Sequence, residues 1–307
     1  MPVNAPKEQT VKQASWQVWW LLLRPHTLTA AFVPVLIGTV FALKERGIDF
    51  LLFGAMLTAS LLIQTATNMF NEYYDFKRGL DTAESVGIGG TIVRYGISPR
   101  TVLGIALAFY ASALLLGLYI CLRTSFVIAL VGVLCMAVGY LYTGGPYPIA
   151  YTPFGELFAG FFMGPVIILI SFYIQTGLLN WHLFLLSVPP GILIGAILMS
   201  NNIRDLDGDK ESGRKTLAIL LGKSRAVGFL AGMFTISYLW IAGLVISGVF
   251  SPWLLLVFLT LPHAGGAVRG FRSKSLPAEM MLAMAKTAKL NTLFGFMVAI
   301  GLIISLF

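Results

Sequence analysis

Eight of the chain's 13 Asp and Glu residues fall in two short windows. Glu72, Asp75, Asp81 and Glu84 form one group, and Asp205, Asp207, Asp209 and Glu211 form the other. The first window reads NMFNEYYDFKRGLD, Asn68 to Asp81; the second reads NNIRDLDGDKESGRKT, Asn201 to Thr216. On a helix, Asn68, Asn71 and Asp75 share one face, because steps of three and four residues return to the same side. Asn202, Asp205 and Asp209 repeat that spacing. Asp207 and Glu211 fall off the stripe and read as loop charges. Carboxylates without His or Cys suit a hard, oxygen-seeking cation. Mg²⁺ fits best, held by one or two carboxylates together with phosphate oxygens. Lys77, Arg78, Arg94, Arg204, Lys210, Arg214 and Lys215 are interleaved with the acids. Carboxylate, metal, phosphate and Arg in combination neutralise a diphosphate. Two blander readings compete. Either window alone could be a solvated loop with charges of both signs. A cation or proton pathway would instead place carboxylates near span centres, and only Glu156 lies near a span interior, at a helix start.

The elements that position these residues must live in lipid. Of 307 residues, 57% are hydrophobic and 11% charged, where a soluble domain is about a quarter charged. A spanning helix needs roughly 20 apolar residues. Nine candidates run about 27–44, 50–72, 101–122, 125–143, 154–176, 182–202, 226–249, 252–269 and 288–307. The eighth is interrupted by Pro262, His263 and Gly265–Gly266. Residues 1–26 form a polar tail and a short interfacial helix, marked by Trp16, Trp19 and Trp20 beside Arg24. The start, MPVNAPKEQTVKQ, lacks an apolar h-region, so no cleaved signal is expected. Cys121 and Cys135 lie in apolar runs and read as small packed hydrophobes. Of the 21 Lys and Arg, only Lys44, Arg46 and Arg123 fall opposite the N-terminal side. The positive-inside bias then puts the N-terminus and both acidic windows in the cytoplasm. It also accounts for the net charge of +8 without nucleic acid.

The windows resemble the two motifs of the UbiA superfamily of intramembrane aromatic prenyltransferases. Asn71, Asp75 and Asp81 match an Asn followed by spaced Asp residues, and Asp205 with Asp209 matches a DxxxD. The likeness covers nearly the whole chain. DFKRGLD with Gly79 between the Asp residues, YTGGPYPIAYTPFGE (Tyr142 to Glu156) and NNIRD…D…GRKTLA most resemble the branch that acts on 1,4-dihydroxy-2-naphthoate. One departure is Glu72, where many relatives have Asp.

The resemblance implies an all-α, polytopic bundle of about nine transmembrane helices around a central cavity open to the cytoplasmic side. Residues 27–307 would form one domain in a bacterial cell membrane. It implies attack of an aromatic acceptor on a polyprenyl diphosphate, with loss of diphosphate and CO₂. Mg²⁺ is expected on Asp75, Asp81, Asp205 and Asp209, with Asn68, Asn71 and Asn202 as further ligands or as groups orienting the carboxylates. Lys77, Arg94, Arg204 and Lys215 are expected to contact the diphosphate, and Arg24 and Tyr142 the acceptor. Phe70, Tyr73, Tyr74, Tyr140 and Tyr142 are candidates to face an allylic cation, or else to pack. Gly155, Gly160 and Gly164 either line an exit for the prenyl tail or mark close helix contacts.

Overall fold

Backbone buried in hydrocarbon must satisfy its own polar groups, which leaves helices and closed barrels as spanning structures. Here the outcome is helix. The computed structural model describes residues 16–81 and 89–307, and among these it holds no strand. Residues 1–15 of the expected tail and Glu84 of the first acidic window lie outside the described residues.

A short helix, α1 (Trp16–Leu23), precedes nine apolar rods. The first is α2 (Pro25–Ala42). The second is α3 (Phe50–Lys77), followed by the short α4 (Thr91–Tyr95). Then come α5 (Pro99–Arg123) and α6 (Val127–Leu141). The fifth rod joins α7 (Gly155–Phe161), a π turn (Phe162–Val166) and α8 (Ile167–Thr176). The sixth is α9 (Trp181–Arg204), followed by the short α10 (Leu206–Glu211) and α11 (Leu217–Leu221). The last three are α12 (Lys223–Ile246), a 3-10 stretch (Pro252–Thr260) running into α13 (Leu261–Ser273), and α14 (Pro277–Ile304). Seven of these rods are long and apolar enough to cross a membrane; the α2 segment Thr27–Ala42 and α6 are shorter apolar helices. The chain is an integral membrane protein.

Two boundaries differ from expectation. The eighth rod is tight 3-10 helix up to Thr260, and α13 then opens with Pro262 in its first turn. A missing N–H matters least there, because the first-turn donors have no intrahelical partner. The ninth rod begins at Pro277 rather than near 288, so Lys286 and Lys289 lie within it. Its polar first turns are held helical by packing against α13, which hydropathy does not register.

The hub is α9, with 72% of its apolar window buried. It carries Pro189 and Pro190 in its interior. Pro189 has no N–H, so the Leu185 carbonyl lacks its usual donor; Trp240 of α12 supplies one, Nε1 to O at 2.8 Å. Just beyond, α9 meets the α7 rod at backbone distance. A Cβ on Gly164 would lie 2.4 Å from the Gly191 Cα, and one on Gly160 2.6 Å from the Gly191 carbonyl oxygen. Gly160 and Gly164 are therefore close helix contacts. Helix α1 buries Val18 and Leu22 against Met69 and Phe70 of α3 and leaves Trp16 and Trp20 exposed. Opposite the acidic windows, Asp49 caps α3 through Leu51 N and Leu52 N and pairs with Arg123 at 3.2 Å.

Candidate active site

The exits of α3 and α9 meet at one end of a cavity of about 990 Å³. Its lining runs along α3 from Met56 to Asp75, about 28 Å at the helical rise. The shaft is apolar, with Ala113, Leu118, Phe126, Val133, Phe162 and Ile170 on its walls. The polar end carries Asp75, Asp81, Asp205 and Asp209 together with Arg24, Arg204 and Arg214.

Arg214 joins the two windows. Its guanidinium pairs with Asp75 Oδ1 at 3.0 Å and with Asp209 Oδ1 at 3.0 Å. It also stacks over the Tyr151 ring, 4.7 Å from the centroid. Burial disfavours the charged form of Arg214, but Asp75 and Asp209 outweigh that and push its pKa up. From Asp75 the network continues to Asn71, whose Nδ2 donates to Asp75 Oδ2 at 3.0 Å. Asn71 Oδ1 in turn accepts from Arg24 Nη1 at 2.8 Å. The Arg24 backbone adopts φ 51 at the start of α2, a left-handed geometry that costs on the order of 1–3 kcal/mol outside glycine. The second arm of its guanidinium pairs with Glu72 at 3.2 Å.

Glu72 is buried and accepts from Gly90 N, Thr91 Oγ1 and Ile92 N. This carboxylate anchors the first turn of α4 and is absent from the cavity wall. Asn68 lines the cavity while its Nδ2 donates to the Leu23 carbonyl and to Thr27 Oγ1, tying α3 to the junction of α1 and α2. Asp81 follows a turn at Gly79, which adopts φ 71. Burial pushes Asp81 up to about 6, helped by Asp75 and Glu72 and opposed by Arg24 and Arg94. Asp209 also stands at about 6: burial raises it, Arg214 lowers it, and Asp205 and Asp75 raise it again. Asp205 is paired to its neighbour, Arg204 Nε to Oδ1 at 2.6 Å. Asn202 lines the cavity and donates to Glu156 Oε1 at 2.8 Å.

The cavity wall thus gathers every expected Asn and Asp, together with Arg24, Arg204 and Tyr142. Lys77, Arg94 and Lys215 are exposed and stand outside it. Arg214, not among the expected diphosphate contacts, lines it. Gly213, at φ 76, turns the chain just before it, so Arg214 points inward while Lys215 faces out. Arg78 donates to the Thr143 and Gly145 carbonyls and braces the loop after α6. Asp207 and Glu211, read as loop charges, are exposed but reach the cavity rim. Phe70, Tyr73, Tyr74 and Tyr140 pack on one another, with Tyr74 and Tyr140 sharing a hydroxyl hydrogen bond of 2.5 Å. The aromatic rings lining the cavity belong to Phe126, Tyr142, Phe158 and Phe162.

The donor set fits a hard divalent cation. It is built of carboxylates and amides, and two carboxyls are held up at about 6 partly by repulsion from neighbouring acids, a charge deficit that a cation relieves. Among the described residues no three His, Cys, Asp or Glu side chains already form a closed cage. Mg²⁺ takes one or two carboxylates and completes its shell with phosphate oxygens and water.

The comparisons with known proteins agree with this geometry. The model of the UbiA prenyltransferase family matches residues 31–293. The chain is 59% identical to the 1,4-dihydroxy-2-naphthoate octaprenyltransferase of Bacillus subtilis (strain 168), over 96% of this chain and 95% of that protein. It is 31% identical to UbiA prenyltransferase domain-containing protein 1 of Danio rerio, over 95% of this chain and 86% of that protein. Its fold is similar to that of a UbiA homolog from Aeropyrum pernix K1, with a TM-score of 0.68 at 15% identity, over 92% of this chain and 98% of that one. A UbiA homolog from Archaeoglobus fulgidus, solved bound to GPP and Mg²⁺, aligns with a TM-score of 0.62 at 18% identity, over 92% and 99%. The chain belongs to the UbiA prenyltransferase family.

Proposed function

We propose that this protein transfers a polyprenyl group from a polyprenyl diphosphate to 1,4-dihydroxy-2-naphthoate, releasing diphosphate and CO₂, a step toward menaquinone. The observation that carries it is the union of two acidic windows at the polar end of a long apolar cavity. The acceptor follows from the 59% identical relative named for it. The shaft accommodates a chain-like apolar group, and the polar end its diphosphate.

Each wall has a task. Asp75, Asp81, Asp205 and Asp209 would share the binding of Mg²⁺, with Asn202 beside them. Mg²⁺, when bound there, acts as a Lewis acid for the leaving diphosphate. Arg24, Arg204 and Arg214 line the same end and offer N–H groups to phosphate oxygens. The allylic C–O bond breaks with its electron pair leaving on diphosphate. A ring carbon of the acceptor attacks, and the ring carboxylate departs as CO₂. The apolar walls keep water from the allylic cation, and Tyr142 lines the cavity that the acceptor would share. The Lys and Arg distribution supports a cytoplasmic position for this end.

The test is incubation of purified protein with dihydroxynaphthoate, a polyprenyl diphosphate and Mg²⁺, followed by mass analysis. The expected product is the prenylated, decarboxylated naphthoquinol. Asp75→Asn and Asp209→Asn should each lower turnover by on the order of 10²–10³-fold. Near-normal turnover in both would overturn the assigned roles. Preference for 4-hydroxybenzoate in an acceptor panel would overturn the acceptor.

A further inference from the structure

The two windows share a spacing but not a wiring. On the first, both ends of the Asn71 amide are engaged, Oδ1 by Arg24 at 2.8 Å and Nδ2 by Asp75 at 3.0 Å. On the second, Asn202 Nδ2 donates to Glu156 Oε1 at 2.8 Å. Asn202 lines the cavity; Glu156, in the first turn of α7, is 5% exposed and stands behind it. An amide carries donors at one end and an acceptor at the other. A carboxyl oxygen that accepts the Nδ2 hydrogen fixes the donor end toward α7.

We infer that Glu156 is a positioning residue for Asn202, locking that amide with Oδ1 turned to the polar end of the cavity. Asn71 of the first window instead bridges Arg24 to Asp75. The inference rests on the reading of this end as the cation–diphosphate site. A cation received there meets carboxylates from both windows together with the amide oxygen of Asn202.

Two further features agree. Gly195 of α9 leaves room for the backbone of Glu156, whose carbonyl oxygen would lie 2.9 Å from a Cβ at that position. The anchor therefore sits on a rigid contact between α7 and α9, as a group that orients a ligand requires. The other carboxyl oxygen, Glu156 Oε2, is buried with no hydrogen-bond partner. Leaving a buried acceptor unpaired costs stability, and an apolar side chain of equal length would pack there without that cost. What Glu156 adds over such a side chain is the bond to Asn202.

The experiment measures Mg²⁺ affinity by calorimetry in the presence of inorganic pyrophosphate, using the purified full-length protein. Glu156→Met should weaken that affinity about tenfold, the usual effect of losing a group that orients a ligand. Asn202→Ala should weaken it at least as much. The double variant should be no weaker than Asn202→Ala alone, because the anchor acts only through Asn202. Glu156→Gln keeps an acceptor oxygen at the same reach and should recover most of the affinity, which serves if Glu156→Met does not fold. Unchanged affinity in Glu156→Met, equal losses with and without Asn202, or a Gln variant as weak as the Met variant would each overturn the inference. Asp75→Asn separates the two levels. If the wild type binds no Mg²⁺–pyrophosphate, the site reading fails and the inference with it. If Asp75→Asn abolishes binding that Glu156→Met leaves intact, the inference alone fails.

Discussion

Arg214 sits between Asp75 and Asp209, the carboxylates proposed to receive the cation. Its two roles, neutralising carboxylates and meeting phosphate, make opposite demands on a variant. Arg214→Gln removes a competitor for the carboxylates, so Mg²⁺ alone should bind more tightly. It also removes a bidentate phosphate donor, so KM for the prenyl diphosphate should rise about tenfold, the ordinary worth of a charge-assisted bond. Lys77→Ala and Lys215→Ala change exposed side chains outside the cavity and should stay within about twofold of wild type. Steady-state kinetics and Mg²⁺ titration check both, and a large loss in either lysine variant would contradict this assignment. Asp81 and Asp209 carry the pH dependence, since both stand at about 6 against an ordinary 3.8. Their folded pKa values lie above the unfolded ones, so between about pH 4 and 6 the folded chain holds protons that the unfolded chain has shed. These two groups therefore make the cation-free protein less stable as pH rises through that window, with no further change above it. Cation binding needs the ionised forms, so Mg²⁺ affinity should fall by up to about tenfold per group for each unit below 6. Titrations from pH 5 to 8 test this. Asp81→Asn should remove one of the two protein steps, which separates them from protons lost by pyrophosphate; a pH-independent affinity would refute it. The acids themselves were legible from spacing. The choice among basic neighbours was not, because Arg214 and Lys215 are adjacent and one turn at Gly213 decides which faces inward.

The helices were legible for a different reason. Apolar runs of spanning length admit little but helix in lipid, and each of the nine rods contains a run that hydropathy marks, the ninth starting about three turns earlier than its run. What hydropathy cannot carry is the distance between rods. Gly160 and Gly164 read equally as an exit lining or a packing contact until Gly191 is seen against them. The same limit hid the partner of Glu156, since Asn202 lies on another rod. The contact between α7 and α9 is also where the fifth rod widens into a π turn containing Pro165, a feature that recurs at functional sites. Because Glu156 and Asn202 sit at the end of this contact, its spacing sets their bond. Gly164→Ala introduces a Cβ 2.4 Å from the Gly191 Cα, so the rods must part. The expected loss is about 1–3 kcal/mol, read as a lower thermal midpoint together with weaker Mg²⁺–pyrophosphate binding. Gly228→Ala on α12, where an added Cβ meets nothing within 4 Å, is the matched control. Equal effects in the two variants would show that the contact has no special standing.

Viewed whole, the protein divides its cavity by chemistry along its length, with charge at one end and a hydrocarbon shaft behind it. Such a division separates two properties that enzymes often mix. Ionisation of the donor depends on the charged end, whereas the length of prenyl chain accepted depends on the shaft. The shaft is lined by α6 as well as α3, and Gly132 of α6 opens onto it with no atom within 4 Å of an added Cβ. Gly132 lies ten residues before Tyr142 at the polar end, about 15 Å along the helix. Gly132→Phe therefore places a ring in the shaft well away from the carboxylates. A short-chain polyprenyl diphosphate ends before that ring and should react at an unchanged rate. A long-chain donor must displace the ring or fold back. Its KM should rise about tenfold or more, the fold-change that 1–3 kcal/mol of overpacking brings, with Mg²⁺ dependence untouched. Competition between short and long donors in one assay, read by product mass, measures the shift directly. If both donors lose activity together, shaft and charged end are not separable. If neither changes, the prenyl chain does not run past Gly132.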